Sequence, residues 1–183
     1  MSFVNPRCLL LYNVVFVDKN KPAIEEDKQL QPSGIDLRID YFTQIVGHGY
    51  LGITEKKNSQ ERKLSLRDDC YELEKGKPYM AYFVESCKLP IHMSALIWGR
   101  STLVRNGILC MSMVYDPGYE NVIACPVYPF KTFMVKRYAR FAQFCGMDNT
   151  GSIMYEGNYT RRKKDDKKTG NRPGATHPAT RPE

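Results

Sequence analysis

An all-β fold of the sandwich, jelly-roll or barrel kind is predicted by three features of this sequence. Apolar, β-branched and aromatic residues come in short runs. The runs are punctuated by Gly, Pro, Asp or Asn, and few stretches leave room for a helix.

In chain order the strand-like runs are Leu9–Val17, Ile35–Tyr41, Tyr79–Val84, Met93–Ile97, Ile108–Val114, Asn121–Tyr128, Phe133–Lys136 and Phe141–Cys145. Leu9–Val17 is the longest apolar run, broken by Asn13 and stopped by Asp18. It is far shorter than the roughly 20 apolar residues that span a bilayer, and it lacks the flanks of a signal peptide. Ile35–Tyr41 alternates after the turn residues Pro32, Ser33 and Gly34. Ile35, Leu37 and Ile39 face one way, while Asp36 and Arg38 face the other as a solvent-facing ion pair. One short helix is expected over Thr102–Asn106, with Ser101 as N-cap and Gly107 as its left-handed stop.

At 183 residues, 42% hydrophobic and 26% charged, the chain fits one globular domain and is neither fibrous nor disordered. It reads as an intracellular, cytoplasmic protein with no membrane partner. Its six cysteines include no CxxC pair and no histidine at metal-ligand spacing, which disfavours zinc.

The formal charge of +7 is uneven: residues 160–183 carry a net +5 and residues 1–159 only +2. We therefore expect a β domain over 1–159 and a basic, flexible C-terminal tail over 160–183. Such a tail is either a solvated end or a mobile arm that closes over a polyphosphate.

Four segments bear polar groups able to do chemistry. Gln31-Pro32-Ser33-Gly34-Ile35-Asp36-Leu37-Arg38-Ile39 puts an acid on a strand just after a turn. Gly99-Arg100-Ser101-Thr102 gathers a guanidinium, two hydroxyls and helix-start amides, which serve either as a cap or as an anion site. In Tyr115-Asp116-Pro117-Gly118-Tyr119 the aspartate either bonds its own turn or orients and deprotonates a water. Arg140 and Gln143, three positions apart on one strand, point to opposite faces, so one reaches a site and the other serves something else, such as an intersubunit contact. No Walker loop, no GxGxxG turn and no Ser/His/Asp or Cys/His arrangement accompanies them.

Read in order, PSGIDLRI, GRSTL, DPGY and RFAQ resemble the first four motifs of the dUTPase and dCTP deaminase superfamily, closer to the dUTPase branch. The resemblance implies a jelly-roll-like distorted β-barrel and a homotrimer with active sites between subunits. It further implies dUTP diphosphatase activity, giving dUMP and pyrophosphate, with Mg²⁺ held mainly by the substrate phosphates. Asp36 would support the metal-bound triphosphate site indirectly. Arg100, Ser101 and Thr102 would bind phosphates, Asp116 would activate the attacking water, Tyr119 would pack under the deoxyribose, and Gln143 would contact the α-phosphate side. Lys168 and Arg172 of the tail would clamp the β- and γ-phosphates as a lid.

The deaminase branch carries a glutamate ten positions after the turn aspartate. Here that position is Pro126, which cannot transfer a proton. A dCTP deaminase, possibly bifunctional in the family's manner, and a catalytically silent nucleotide-binding or regulatory member are the alternatives. No specific nucleic-acid partner is expected.

Overall fold

The computed structural model describes residues 2–149, 153–157 and 159. Among them the elements run α1 (Pro6–Leu11), β1 (Val15–Val17), α2 (Glu26–Gln29), β2 (Leu30–Gln31), β3 (Gly34–Val46), β4 (Tyr50–Leu51), β5 (Lys56–Lys57), β6 (Gln60–Lys63), β7 (Cys70–Leu73), β8 (Tyr79–Lys88), β9 (Met93–Gly99), α3 (Ser101–Arg105), β10 (Ile108–Cys110), β11 (Val114–Tyr115), β12 (Glu120–Pro129), β13 (Phe133–Lys136) and β14 (Arg140–Asp148). The main sheet has the order β10-β12-β8-β3-β14-β9-β11 and is antiparallel at every pairing.

β3 belongs to both halves of this curled sheet. Its first part, Ile35 to Arg38, pairs with β14, and its second part, Ile39 to Gln44, pairs with β8. Both pairings are interrupted by a register shift near the changeover, and such bulges turn a strand from one layer to the next. The result is the jelly-roll-like all-β fold. Its core lies between the layers, where Ile35, Leu37, Ile39, Phe42, Phe83, Phe141 and Phe144 are buried. The Phe42 ring meets Tyr71 and Phe141 edge-on, each at 5.5 Å between centroids. At the start of β3 only glycine fits, because a Cβ on Gly34 would stand 2.3 Å from the Phe144 carbonyl oxygen.

The structure corrects the expected solvent-facing Asp36–Arg38 pair. Both residues are buried beneath the segment that contains α2, and they do not pair with each other. Where β3 parts from β8, the Arg38 main-chain N–H has no strand partner. The carboxylate of Glu85, fully buried on β8, fills the gap: Oε2 accepts from Arg38 N at 2.9 Å and Oε1 from Arg38 Nε at 2.8 Å. The remaining guanidinium donors reach the carbonyls of Ala23 and Pro22, while Gln29 Nε2 donates to Glu85 Oε1 and to the Asp36 carbonyl. This fully bonded charge pair fixes the place where the two layers separate.

The expected strand Leu9–Val17 is replaced by a helix followed by a short strand. Pro6 at the first helical turn and the Asn5 side chain, which accepts from Arg7 N, start α1. The chain turns at Asn13, whose φ is +51°, and pairs with β8 only from Val15. A second helix, α2, also lies outside the single helix expected. In α3 the capping position is Arg100, without a side-chain cap bond, and Ser101 already lies inside the helix; Gly107, at φ +71°, follows its end. The run Ile108–Val114 divides into β10 and the beginning of β11. Pro126 accounts for the end of β10: its carbonyl accepts from Met111 N at 2.9 Å, but it has no N–H to return the bond. No helix among the described residues is long and apolar enough to cross a membrane.

The fork yields a stability test. Removing one partner of a buried, hydrogen-bonded ion pair costs about 3–5 kcal/mol. Glu85→Ala is therefore expected to lower urea-unfolding stability by about that much, and Glu85→Ala combined with Arg38→Met to recover part of the loss. Equal stability of wild type and Glu85→Ala would show that the pair does not hold the fork.

Candidate active site

Two groups of polar residues stand on this scaffold, one at each end of β9. The first is built on the row Asp36, Gln143 and Trp98, which face one another across β3, β14 and β9. Asp36 Oδ2 lies 3.2 Å from Arg100 Nε and 3.3 Å from Arg140 Nη1. Its carboxyl group is almost wholly buried, whereas the two guanidiniums are about one-third exposed. Arg100 also bonds the Arg140 carbonyl at 3.1 Å, and Arg140 reaches the Lys28 carbonyl. Burial pushes the Asp36 carboxyl above its ordinary range, against the pull of Arg100 and then Arg140. Ser101 and Thr102 lie exposed beside Arg100. The cluster therefore presents two anchored guanidinium groups and two hydroxyls to solvent, a donor set suited to anionic oxygens.

The expectation that Arg140 and Gln143 face opposite ways fails because of the bulge. Arg140 stands opposite Arg38 and Ala142 opposite Leu37, so Phe141 is the extra residue. That insertion brings Arg140 onto the face of Asp36, whose carboxylate it meets.

The second group surrounds the turn Asp116-Pro117-Gly118-Tyr119. Pro117 follows the first position, Gly118 has φ +81°, and Tyr119 N donates to the Asp116 carbonyl at 3.1 Å, a type II arrangement in which glycine carries the positive φ. The turn is tied to Leu89 by two main-chain bonds, Gly118 N to Leu89 O at 3.0 Å and Leu89 N to Tyr119 O at 2.9 Å. The Asp116 side chain is exposed and makes no hydrogen bond or ion pair among the described residues. Its carboxylate is thus available to a ligand or a water.

Tyr115 supports this turn from behind. Its buried hydroxyl accepts from Ala124 N at 3.0 Å and donates to the Ala124 carbonyl, where β12 slips out of register with β8. Burial pushes the phenols of Tyr115 and Tyr119 well above their usual range, so both remain proton donors. The Tyr119 ring packs edge-on against Tyr115 at 5.0 Å and Tyr155 at 5.8 Å, with its hydroxyl on the Val122 carbonyl. The chain beyond β14 returns over the turn: Tyr155 N donates to the Pro117 carbonyl at 2.7 Å, and Asn121 donates to the Tyr159 carbonyl.

Together these elements border a cleft of about 640 Å³ lined by Asp116, Tyr119, Tyr155 and Tyr159, and also by Tyr82 and Glu61. Tyr41 and Tyr82 stack there at 4.6 Å, with Lys63 Nζ 4.3 Å from the Tyr41 ring.

One chain brings Asp36, Arg100, Arg140 and Gln143 together, and brings Asp116 to Tyr119, but it keeps the two groups apart. Tyr115 pairs with Ala95, and Arg100 lies five residues further, just past the end of β9, roughly 17 Å away at strand spacing. Lys168 and Arg172 lie outside the described residues. Sequence reasoning missed Glu61, Tyr82 and Tyr155, which come from a polar edge strand, an outward strand face and the segment after the last strand. It also missed Glu85, although an acid inside the apolar run Ala81-Tyr82-Phe83-Val84-Glu85 was a readable sign of a buried partner.

Residues 17–147 match the family described as dCTP deaminase-like. The chain belongs to this family. Its relatives include the deoxyuridine 5′-triphosphate nucleotidohydrolase of Methanocaldococcus jannaschii, 29% identical over 142 residues, 75% of this chain and 90% of that protein. The probable deoxyuridine 5′-triphosphate nucleotidohydrolase of Methanothermobacter thermautotrophicus is 32% identical over 140 residues, 75% of this chain and 91% of that one. Among solved structures, the 2′-deoxycytidine 5′-triphosphate deaminase of Agrobacterium tumefaciens shares the fold with a TM-score of 0.61 at 20% identity. That match covers 84% of this family member, which spans half the length of the deaminase chain.

The Tyr115 bracket can be tested directly. Tyr115→Phe leaves the Ala124 N–H and carbonyl without their shared partner, a loss of about 1–3 kcal/mol in urea unfolding. Faster amide exchange at Ala124 is expected with it; unchanged exchange would show that the hydroxyl does not close the slipped ladder.

Proposed function

We propose that the protein is a dUTP diphosphatase that hydrolyses dUTP to dUMP and pyrophosphate. The observation that carries this reading is the cleft in which a carboxylate without an internal partner among the described residues, Asp116, stands beside the half-buried ring of Tyr119. The names of the methanogen relatives, each matched over about nine-tenths of its length, support it.

In this reading Asp116 takes a proton from the water that attacks the α-phosphorus, and the bond to the leaving pyrophosphate breaks. Tyr119 packs beneath the deoxyribose. Arg100, Ser101, Thr102 and Gln143 hold the phosphate oxygens, where charge grows during the reaction. Asp36 acts by positioning, since its buried carboxylate anchors Arg100 and Arg140 from behind. Lys168 and Arg172 are assigned to the β- and γ-phosphates.

Mg²⁺ accompanies the nucleotide rather than the protein. The oxygen of Asp36 nearest the phosphate-binding groups faces two guanidiniums, and no cluster of three His, Cys, Asp or Glu suited to a metal occurs among the described residues. These residues do not fit a protein-held cation, and none of the steps above depends on one.

The site is assigned to the junction of copies in a homotrimer, the Arg100 group of one facing the Asp116 group of the next. The separation of the two groups within a chain supports this. So do the exposed apolar side chains of Trp98, Val104, Leu109, Met111 and Val114, which come from the stretch of sequence between the two groups.

Asp116→Asn is expected to lower kcat on dUTP roughly 100- to 10,000-fold, the usual contribution of a general base, with affinity for a non-hydrolysable dUTP analogue nearly unchanged. Pyrophosphate and ammonia followed separately on dUTP, dCTP, dTTP and UTP give the reaction class. Pyrophosphate from dUTP is the expected product; full activity of Asp116→Asn would remove its assigned role.

A further inference from the structure

The cleft that holds Asp116 contains a second carboxylate, Glu61, on the exposed edge strand β6. Its Oε2 accepts two hydroxyl protons, from Tyr82 at 2.7 Å and from Thr43. Burial, then the bond to Glu61, pushes the Tyr82 phenol well above its ordinary range, so Tyr82 remains the donor and Glu61 the acceptor. Oε1 has no hydrogen bond or ion pair among the described residues. A carboxylate oriented by two hydroxyls thus offers one further acceptor oxygen.

Its position relative to Tyr119 sets what that oxygen can meet. The Tyr119 hydroxyl lies on the Val122 carbonyl, and Ala124, two residues further, stands opposite Tyr82 in the sheet. Val122 to Ala124 is about 7 Å along the strand, comparable with the reach of a nucleoside from its sugar to the outer edge of its base. A nucleoside whose sugar lies over Tyr119 and whose base runs along β12 reaches Tyr82 and Glu61. The two pyrimidines differ there in hydrogen-bonding sense: cytosine presents an amino donor at its 4-position and uracil a carbonyl acceptor.

We propose that Glu61 is a specificity-determining residue of this cleft, its Oε1 accepting the 4-amino group of cytosine, so that the site binds dCTP alongside dUTP. Tyr82 and Thr43 are positioning residues that hold the carboxylate in place. The same oxygen repels the uracil carbonyl, which narrows the preference for dUTP. The inference rests on the nucleotide reading of the cleft.

The test is calorimetric binding of the α,β-imido analogues of dUTP and dCTP to the full chain. Glu61→Gln keeps the size of the side chain and replaces one acceptor oxygen by an amide donor that suits uracil. It is expected to raise the ratio of dUTP to dCTP affinity roughly 10- to 100-fold, the range of one well-made base contact. Tyr82→Phe should move the ratio in the same direction by less. Because Glu61 is exposed on an edge strand, the variant keeps the fold, which its urea midpoint verifies. A ratio that moves less than twofold in Glu61→Gln, while dUTP still binds, overturns the role of Glu61 and leaves the dUTP reading standing. Failure of both analogues to bind the wild type overturns the two together.

Discussion

The buried pair between Arg38 and Glu85 occupies the point where one strand changes partners. A strand that leaves a neighbour must expose main-chain donors, and inside a protein an unmet donor is costly. Here the carboxylate of Glu85 receives both the main-chain N–H and the side chain of Arg38, and Gln29 closes the arrangement from the N-terminal segment. Because β3 can part from β8 at this place, its first half is free to pair with β14. That pairing brings Asp36 opposite Gln143 and within reach of Arg100 and Arg140. The anion-binding group is therefore a consequence of how the sheet divides.

The two polar groups use charge in opposite ways. Around Asp36 the acid is buried and the bases face outward, so its carboxylate gives direction to guanidiniums that would otherwise be flexible. Around Asp116 the acid faces outward, and the buried group behind it is the Tyr115 phenol, which braces the main chain. A surface aspartate on a turn tied by two bonds to Leu89 keeps its position without spending its own oxygens on internal contacts.

Much of this was legible in the sequence where local chemistry decides. Pro117 and Gly118 announce their turn, Gly107 announces the end of its helix, and the alternation from Ile35 to Ile39 gives the strand and its inner face. The all-β class followed from many short runs, and its jelly-roll form from the resemblance carried by the four motifs. Contacts that depend on register were less legible. The bulge at Phe141, which brings Arg140 to Asp36, has no glycine or proline to mark it. The burial of Asp36 and Arg38 depends on the segment around Gln29 crossing the strand, and alternation alone gave that face to solvent. The run Leu9–Val17 reads as one strand because apolar periodicity is ambiguous over nine residues; Pro6 starts a helix ahead of it and Asn13 breaks it. Glu61 lies in a polar stretch with no pattern, and only its meeting with Tyr82 and Thr43 distinguishes it from its neighbours.

The wall of the cleft formed by Tyr155 and Tyr159 comes from chain that follows the last strand. Tyr155 reaches back to the Pro117 carbonyl from beyond β14, so the strands that build the sheets and the stretch that covers one side of the Tyr119 ring are separate parts of the chain. The cleft is thus finished by residues that take no part in the strand ladders.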